Sequence, residues 1–247
     1  MTLVRVERRF QGPERSGNGG YVAGLVGTAA QLDGSRVPKV TLRMPPPLET
    51  DLDLSDGRLT DGEALVAETE PVASEFLADA TIDPVAPDEA RAAEASYRGL
   101  HDHPFPACFV CGPANRRGLQ LRPGPIGGGR TACTWQPAAD LGTDGLVDEV
   151  FLWAALDCPG GWTIDLEGRP SVLGQLTACI DARPQIGEEC VALGRYLGED
   201  GRKTFTASTL YDADGRVLAR AKHTWITVDP AAFIRGRNPV EGRTSRQ

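Results

Sequence analysis

Residues 148–157, Asp-Glu-Val-Phe-Leu-Trp-Ala-Ala-Leu-Asp, constrain the fold more than any other stretch of the chain. Val150, Phe151, Leu152, Trp153 and Leu156 put apolar groups on nearly every side of a helix, and a helix apolar all round has to be buried. Pro159-Gly160-Gly161 is expected to end it. Leu176, Ala178, Ile180 and Ala182 then alternate with Gln175, Thr177, Cys179 and Asp181, the period of a half-buried strand. Residues 190–197, 203–211 and 217–228 continue the sheet, with a hairpin turn at Asp212-Ala213-Asp214-Gly215. Residues 118–121 and 130–135 also read as strands. A buried helix followed by long antiparallel strands predicts an α+β fold in which a sheet wraps around a helix.

The first part of the chain repeats this order in shortened form. Residues 3–10 read as a strand, and Asn18 as the N-cap of a helix over 20–31. In that helix Gly20, Ala23, Gly24 and Gly27 leave a surface small enough for another backbone to approach. Strands are expected at 40–44, 51–54 and 64–69. The stretch 59–67 echoes 211–219, each with Asp and Gly at the turn, a weak internal repeat. Residues 1–70 therefore form an N-terminal half, and 71–105 an acidic, Pro/Ala-rich linker with a helix over 87–97. Residues 106–229 form a C-terminal half and 230–247 a polar tail. The tail arginines Arg235, Arg237, Arg243 and Arg246 read as solvated.

Two chemically suggestive fragments lie in opposite halves. The glycine turn Asn18-Gly19-Gly20-Tyr21 opens a helix, where backbone N–H groups can face an oxyanion. Asp157 is a carboxylate in apolar surroundings, the setting of a general base or nucleophile. Each also has a plainer role. The turn can be a simple N-cap, and Asp157 can cap the Gly160-Gly161 turn or pair with an arginine such as Arg195. Cys108 and Cys111 have the spacing of a metal knuckle, with His101 and His103 nearby, but this is half of a zinc site. Buried free thiols are the better reading of the pair, and no metal or cofactor is expected. Trp153 and Trp162 read as core residues, and His223 as a core or pocket-wall residue rather than a base.

Net charge of −8 argues against nucleic acid or an anionic membrane surface as partner. The chain has no apolar run of membrane length, and its charged start does not read as a secretory signal. Its six cysteines then read as reduced thiols, and a cytoplasmic location is expected.

The order of elements, with Cys108-Phe109-Val110-Cys111-Gly112-Pro113-Ala114-Asn115 and Gly118-Leu119, resembles the hotdog-fold acyl-CoA thioesterases, in particular their phenylacetate-pathway branch. In that branch the central helix opens with His-Gly-Gly and carries an acid eight residues after the first glycine. Asn18-Gly19-Gly20 matches the opening with Asn for His, but the acid position becomes Gly27. Counting back from Asp157 gives Glu149 where the glycine would stand. A Ser or Thr that often follows the acid is Gly161 here. The resemblance implies a double hotdog in which Asn18, Gly19, Gly20 and Tyr21 of one half meet Asp157 of the other at one composite site. The mirror site, Glu149 with Gly27, is expected to be inactive. It further implies hydrolysis of an acyl-CoA or acyl-carrier thioester, with a homo-oligomer plausible for such folds. The competing expectations are a non-catalytic hotdog module that binds an acyl-CoA or another apolar ligand, and a zinc-dependent interaction protein. A hydratase is disfavoured, because its catalytic His with Asp or Glu has no clear place here.

Overall fold

The computed structural model describes residues 2–30, 32 and 35–229. Along the chain run β1 (Thr2–Arg5), α1 (Gly19–Ala29), β2 (Arg36–Leu42), β3 (Asp51–Ser55), β4 (Arg58–Asp61), β5 (Ala64–Ala73) and α2 (Pro87–Ala93). Then come β6 (Gly124–Gly127), β7 (Arg130–Trp135), the short pair β8 (Gly142–Thr143) and β9 (Leu146–Val147), and α3 (Glu149–Gly161). The chain closes with β10 (Ser171–Ile180), β11 (Cys190–Asp200), β12 (Lys203–Asp212) and β13 (Val217–Thr227). The fold is α+β, with few helices and one large antiparallel sheet.

The eleven-stranded sheet has the order β1-β3-β4-β5-β2-β10-β13-β12-β11-β7-β6. From its outer side to the middle, the first part reads β1-β3-β4-β5-β2, and the second, inside an additional edge strand β6, reads β7-β11-β12-β13-β10. These are the same order, strand for strand, with α1 after β1 and α3 between β7 and β10. The two parts join where β10 pairs with β2, Leu176 opposite Val40 and flanked by Gln175–Thr41 and Thr177–Lys39. Gly62 and Gly215 occupy equivalent hairpin turns with φ of +57° and +82°, a backbone region open to glycine.

The helices pack directly on each other, and glycine makes this possible. A β-carbon at Gly24 would lie 2.9 Å from both the Trp153 Cβ and the Val150 carbonyl. One at Gly20 would lie 2.5 Å from the Asp157 Cβ, and one at Gly27 would strike the Trp153 indole at 2.5 Å. One face of the sheet, both helices and the aromatic group Phe10, Tyr21, Phe109 and Phe151 form the main core. A second apolar cluster covers the other face of the sheet. There Leu77, Ile82, Ala90 and Ala93 of the connection pack on Ala132, Leu193 and Ala207.

α3 ends at Gly161, within the expected Pro159-Gly160-Gly161 stop, with Pro159 inside its last turns. The helix lies buried, the Pro159 carbonyl accepts from Thr131 Oγ1 at 2.7 Å, and Gly194 of β11 leaves room for that carbonyl. Several expectations are corrected. Residues 118–121 are not a strand. Gln120 has φ of +59°, and its side-chain amide donates to the Asn115 carbonyl at 2.6 Å, which folds the segment locally. β1 ends at Arg5, and Arg8–Phe10 is a 3-10 turn. β5 runs on to Ala73, past the boundary expected at 70. The helix expected over 87–97 is α2 followed by a 3-10 turn at Glu94–Ser96. The expected end of α1 at Gln31, the tail 230–247 and its four arginines lie outside the described residues. No helix among the described residues is long and apolar enough to cross a membrane.

Candidate active site

Asn18 caps α1 through its side chain, Oδ1 accepting the Tyr21 N–H at 2.8 Å. This fixes its amide group, and Nδ2 donates to Asp157 Oδ2 at 2.9 Å. The Gly20 N–H donates to the same oxygen at 3.0 Å. The Asp157 carboxylate of α3 therefore sits at the N-terminus of α1, where unpaired N–H groups and the helix dipole favour negative charge. Asp157 Oδ1 is buried and has no hydrogen-bond partner. Removal from water pushes the Asp157 carboxyl up to about 7, assisted by charge at Cys108 and opposed by the Gly20 and Asn18 donors. A carboxyl in that range is divided between acid and base forms near neutral pH, as general acid–base chemistry requires.

The side chains expected to act here are thus brought together in part. Gly20, expected to offer its N–H to an oxyanion, donates it to Asp157 instead. The Gly19 N–H has no hydrogen-bond partner among the described residues, and Gly19 lines the adjoining cavity. The Tyr21 ring turns away, stacked on Phe10 with centroids 4.0 Å apart. Burial pushes its phenol up to about 12, so it stays protonated. Asp157 neither pairs with Arg195 nor caps its own helix end. Arg195 donates to the Asp79 carbonyl. At the mirror position Gly27 lies under the Trp153 indole and Glu149 is exposed.

The cavity measures about 320 Å3 and draws its walls from distant parts of the chain. Leu42 and Met44 come from the first part of the chain, Leu166, Leu173 and Trp225 from the second, and Asn18, Gly19 and Asp157 are also in its lining. Such a space, apolar with a few convergent polar groups, is of ligand-binding size. Trp162, read as core, lines it, whereas Trp153 stays in the core. His223 does not line it. Its ring nitrogens lie 2.9 Å from the Leu156 carbonyl and 3.1 Å from Thr206 Oγ1, and the Trp225 indole N–H donates to that hydroxyl at 3.0 Å.

One group of residues at this cavity was only half visible in the sequence. The Sγ atoms of Cys108, Cys111 and Cys158 lie within 4.8 Å of one another. Cys158 has no local signal linking it to the Cys-x-x-Cys pair, because α3 carries it in from a distant part of the chain. Asn18 Nδ2 is 3.7 Å from the Cys108 sulfur, which ties this cluster to the cap. His103 approaches Cys111 at 3.3 Å, while His101 is exposed.

No protein-family model and no curated protein matches this chain. Solved structures match it over nearly its whole length. A candidate thioesterase from Novosphingobium aromaticivorans has a TM-score of 0.62 at 17% identity, covering 92% of this chain and 95% of its own. A tesB protein from Mycobacterium avium subs. paratuberculosis has a TM-score of 0.58 at 11% identity, covering 92% of each chain. At these identities the likeness is one of fold, the hotdog-like fold of thioesterase-type chains.

Proposed function

We propose that this chain is a double hotdog of two fused halves that hydrolyses an acyl thioester at one composite site, with Asp157 as the base. The observation that carries the reading is the Asp157 carboxylate, buried at the N-terminus of α1 in the other half and held there by Asn18 and Gly20. The strand order repeated in the two parts supports the fusion, and the shared fold with thioesterase-type chains supports the reaction class.

In this reading the acyl group enters the apolar cavity and its carbonyl lies near Gly19. Asp157 takes a proton from water as the oxygen attacks the carbonyl carbon. The tetrahedral oxyanion meets the Gly19 N–H and the positive end of α1, and loss of one such donor in other enzymes costs about 3–4 kcal/mol. Collapse breaks the carbon–sulfur bond, and the thiol leaves with the proton held by Asp157. Asn18 orients the carboxylate throughout. CoA or an acyl-carrier protein presents the thioester, and neither nucleic acid nor a membrane takes part. The assignment of Asn18, Gly19, Gly20 and Asp157 is tested by thiol release from short, long and aromatic acyl-CoAs. Wild type should turn over at least one class, and Asp157→Asn, folded by circular dichroism, should lose activity by a factor of a hundred or more, on the order expected for a general base. Undiminished hydrolysis by the variant would remove Asp157 from the mechanism.

Gly161 favours a second reading. The hydroxyl residue of the resembled branch is absent there, and the Trp225 ring packs against the glycine. A site lacking that hydroxyl suits a module that binds an acyl-CoA without cleaving it. Calorimetric binding of acyl-CoA with no thiol released would select this reading.

A further inference from the structure

The geometry points to a single-ion site in which the thiolates of Cys108, Cys111 and Cys158 hold a zinc ion at the wall of the cavity. A tetrahedral zinc ion with bonds of about 2.3 Å to sulfur sets its sulfurs about 3.8 Å apart. Cys108 and Cys158 already stand at 3.8 Å, and the third sulfur completes a triangle with no separation above 4.8 Å. All three residues are buried, and soft sulfur ligands select zinc over magnesium or calcium. A multi-iron cluster would hold its thiolates farther apart than this.

The surroundings of the sulfurs make the stronger argument. The buried Trp162 indole N–H, which can only donate, points at Cys111 Sγ at 3.3 Å. His103 Nδ1 accepts the Phe105 N–H at 2.9 Å, so in the neutral ring Nε2 carries the proton. That Nε2 lies 3.3 Å from the same Cys111 sulfur. Asn18 Nδ2 donates to Cys108 Sγ at 3.7 Å. A neutral thiol is a weak acceptor, and three N–H groups directed at buried thiols would be poorly satisfied. Metal-bound thiolates accept such bonds well, as the outer partners of metal ligands do. His103 is thus a donor to a ligand rather than a ligand, and the fourth position belongs to solvent from the cavity. Each thiol releases its proton to solvent on binding, so uptake strengthens as pH rises.

The test is metal analysis of the full chain, purified without chelator or histidine tag, and its readout is independent of thioester turnover. The expected result is one zinc per chain. Cys111→Ser and Cys158→Ser should each lose it, while Cys133→Ser, a buried thiol elsewhere in β7, should keep it. Because a serine variant can misfold, the unmodified chain is also stripped and reloaded with cobalt(II). Absorption by sulfur-to-cobalt charge transfer, of the intensity given by three thiolates, supports the site. Absence of zinc together with absence of that band would overturn it. So would a Cys108–Cys158 disulfide found by mass spectrometry in protein purified from a reducing cytosol.

Discussion

At the scale of single residues, His223 shows how position decides what a titratable group does. Its ring is buried between β12 and α3, linked in series from Trp225 through Thr206 to the Leu156 carbonyl, next to Asp157 in the chain. Burial lowers its pKa to about 4, against hydrogen bonds that favour the charged ring. An unfolded chain binds the proton near pH 6.5, so between about 6.5 and 4 the unfolded state carries more protons than the native state. The stability this ring contributes is therefore greatest above that window and falls as pH drops through it, while the raised Asp157 carboxyl works in the opposite direction over much the same range. A gap of this size corresponds to about 3 kcal/mol when fully developed. The effect is read as a difference: in urea titrations from pH 7 to pH 4, the stability of His223→Gln relative to wild type should rise as pH falls. An unchanged slope in the variant would mean that His223 titrates alike in both states.

The scale of elements is where the sequence was most and least legible. α3 and strands β10 to β13 were readable because their apolar periods are long and uninterrupted, and burial follows directly from such periods. The close contact of α1 was readable from its glycines. The stop of α3 at Pro159-Gly160-Gly161 was readable too, but not that Pro159 itself would stay helical, with its carbonyl received by Thr131 and by the space at Gly194. Residues 118–121 alternate like a strand, yet a left-handed Gln120 and its amide bonds to the loop override the pattern. Asn18 and Asp157 could be singled out one by one. Their meeting, and the arrival of Cys158 beside Cys108, depend on helix packing that no local pattern encodes. That packing yields its own prediction. Gly24→Ala places a methyl group 2.9 Å from the Trp153 Cβ and the Val150 carbonyl. Overpacking of this kind costs about 1–3 kcal/mol, and the helix propensity gained returns just under 1. The variant should melt a few degrees below wild type, since 1 kcal/mol corresponds to about 2–4 °C in a chain of this size. A higher melting temperature would show that the helices can separate without loss.

At the scale of the whole molecule, two parts with the same strand order share one sheet, yet only one of the two helix-end positions holds a carboxylate. Asp157 and Gly27 each stand nine residues past their helix N-caps, Asp148 and Asn18. At Gly27 the Trp153 indole fills the space. Calorimetry with a non-cleavable thioether analogue of an accepted acyl-CoA should therefore give one ligand per chain. A stoichiometry of two would show that the Trp153 side opens to ligand.

The covalent connection of the two parts bears on how such a molecule can change. When two identical chains build two sites, every substitution is made twice, and a residue that widens one pocket loosens its twin. Here each position occurs once. Leu173, against which Gly19 packs, can vary with the ligand while Trp153 keeps filling the opposite side. Inheritance acts on the two sides separately, so one can drift toward a new substrate while the other remains pure scaffold.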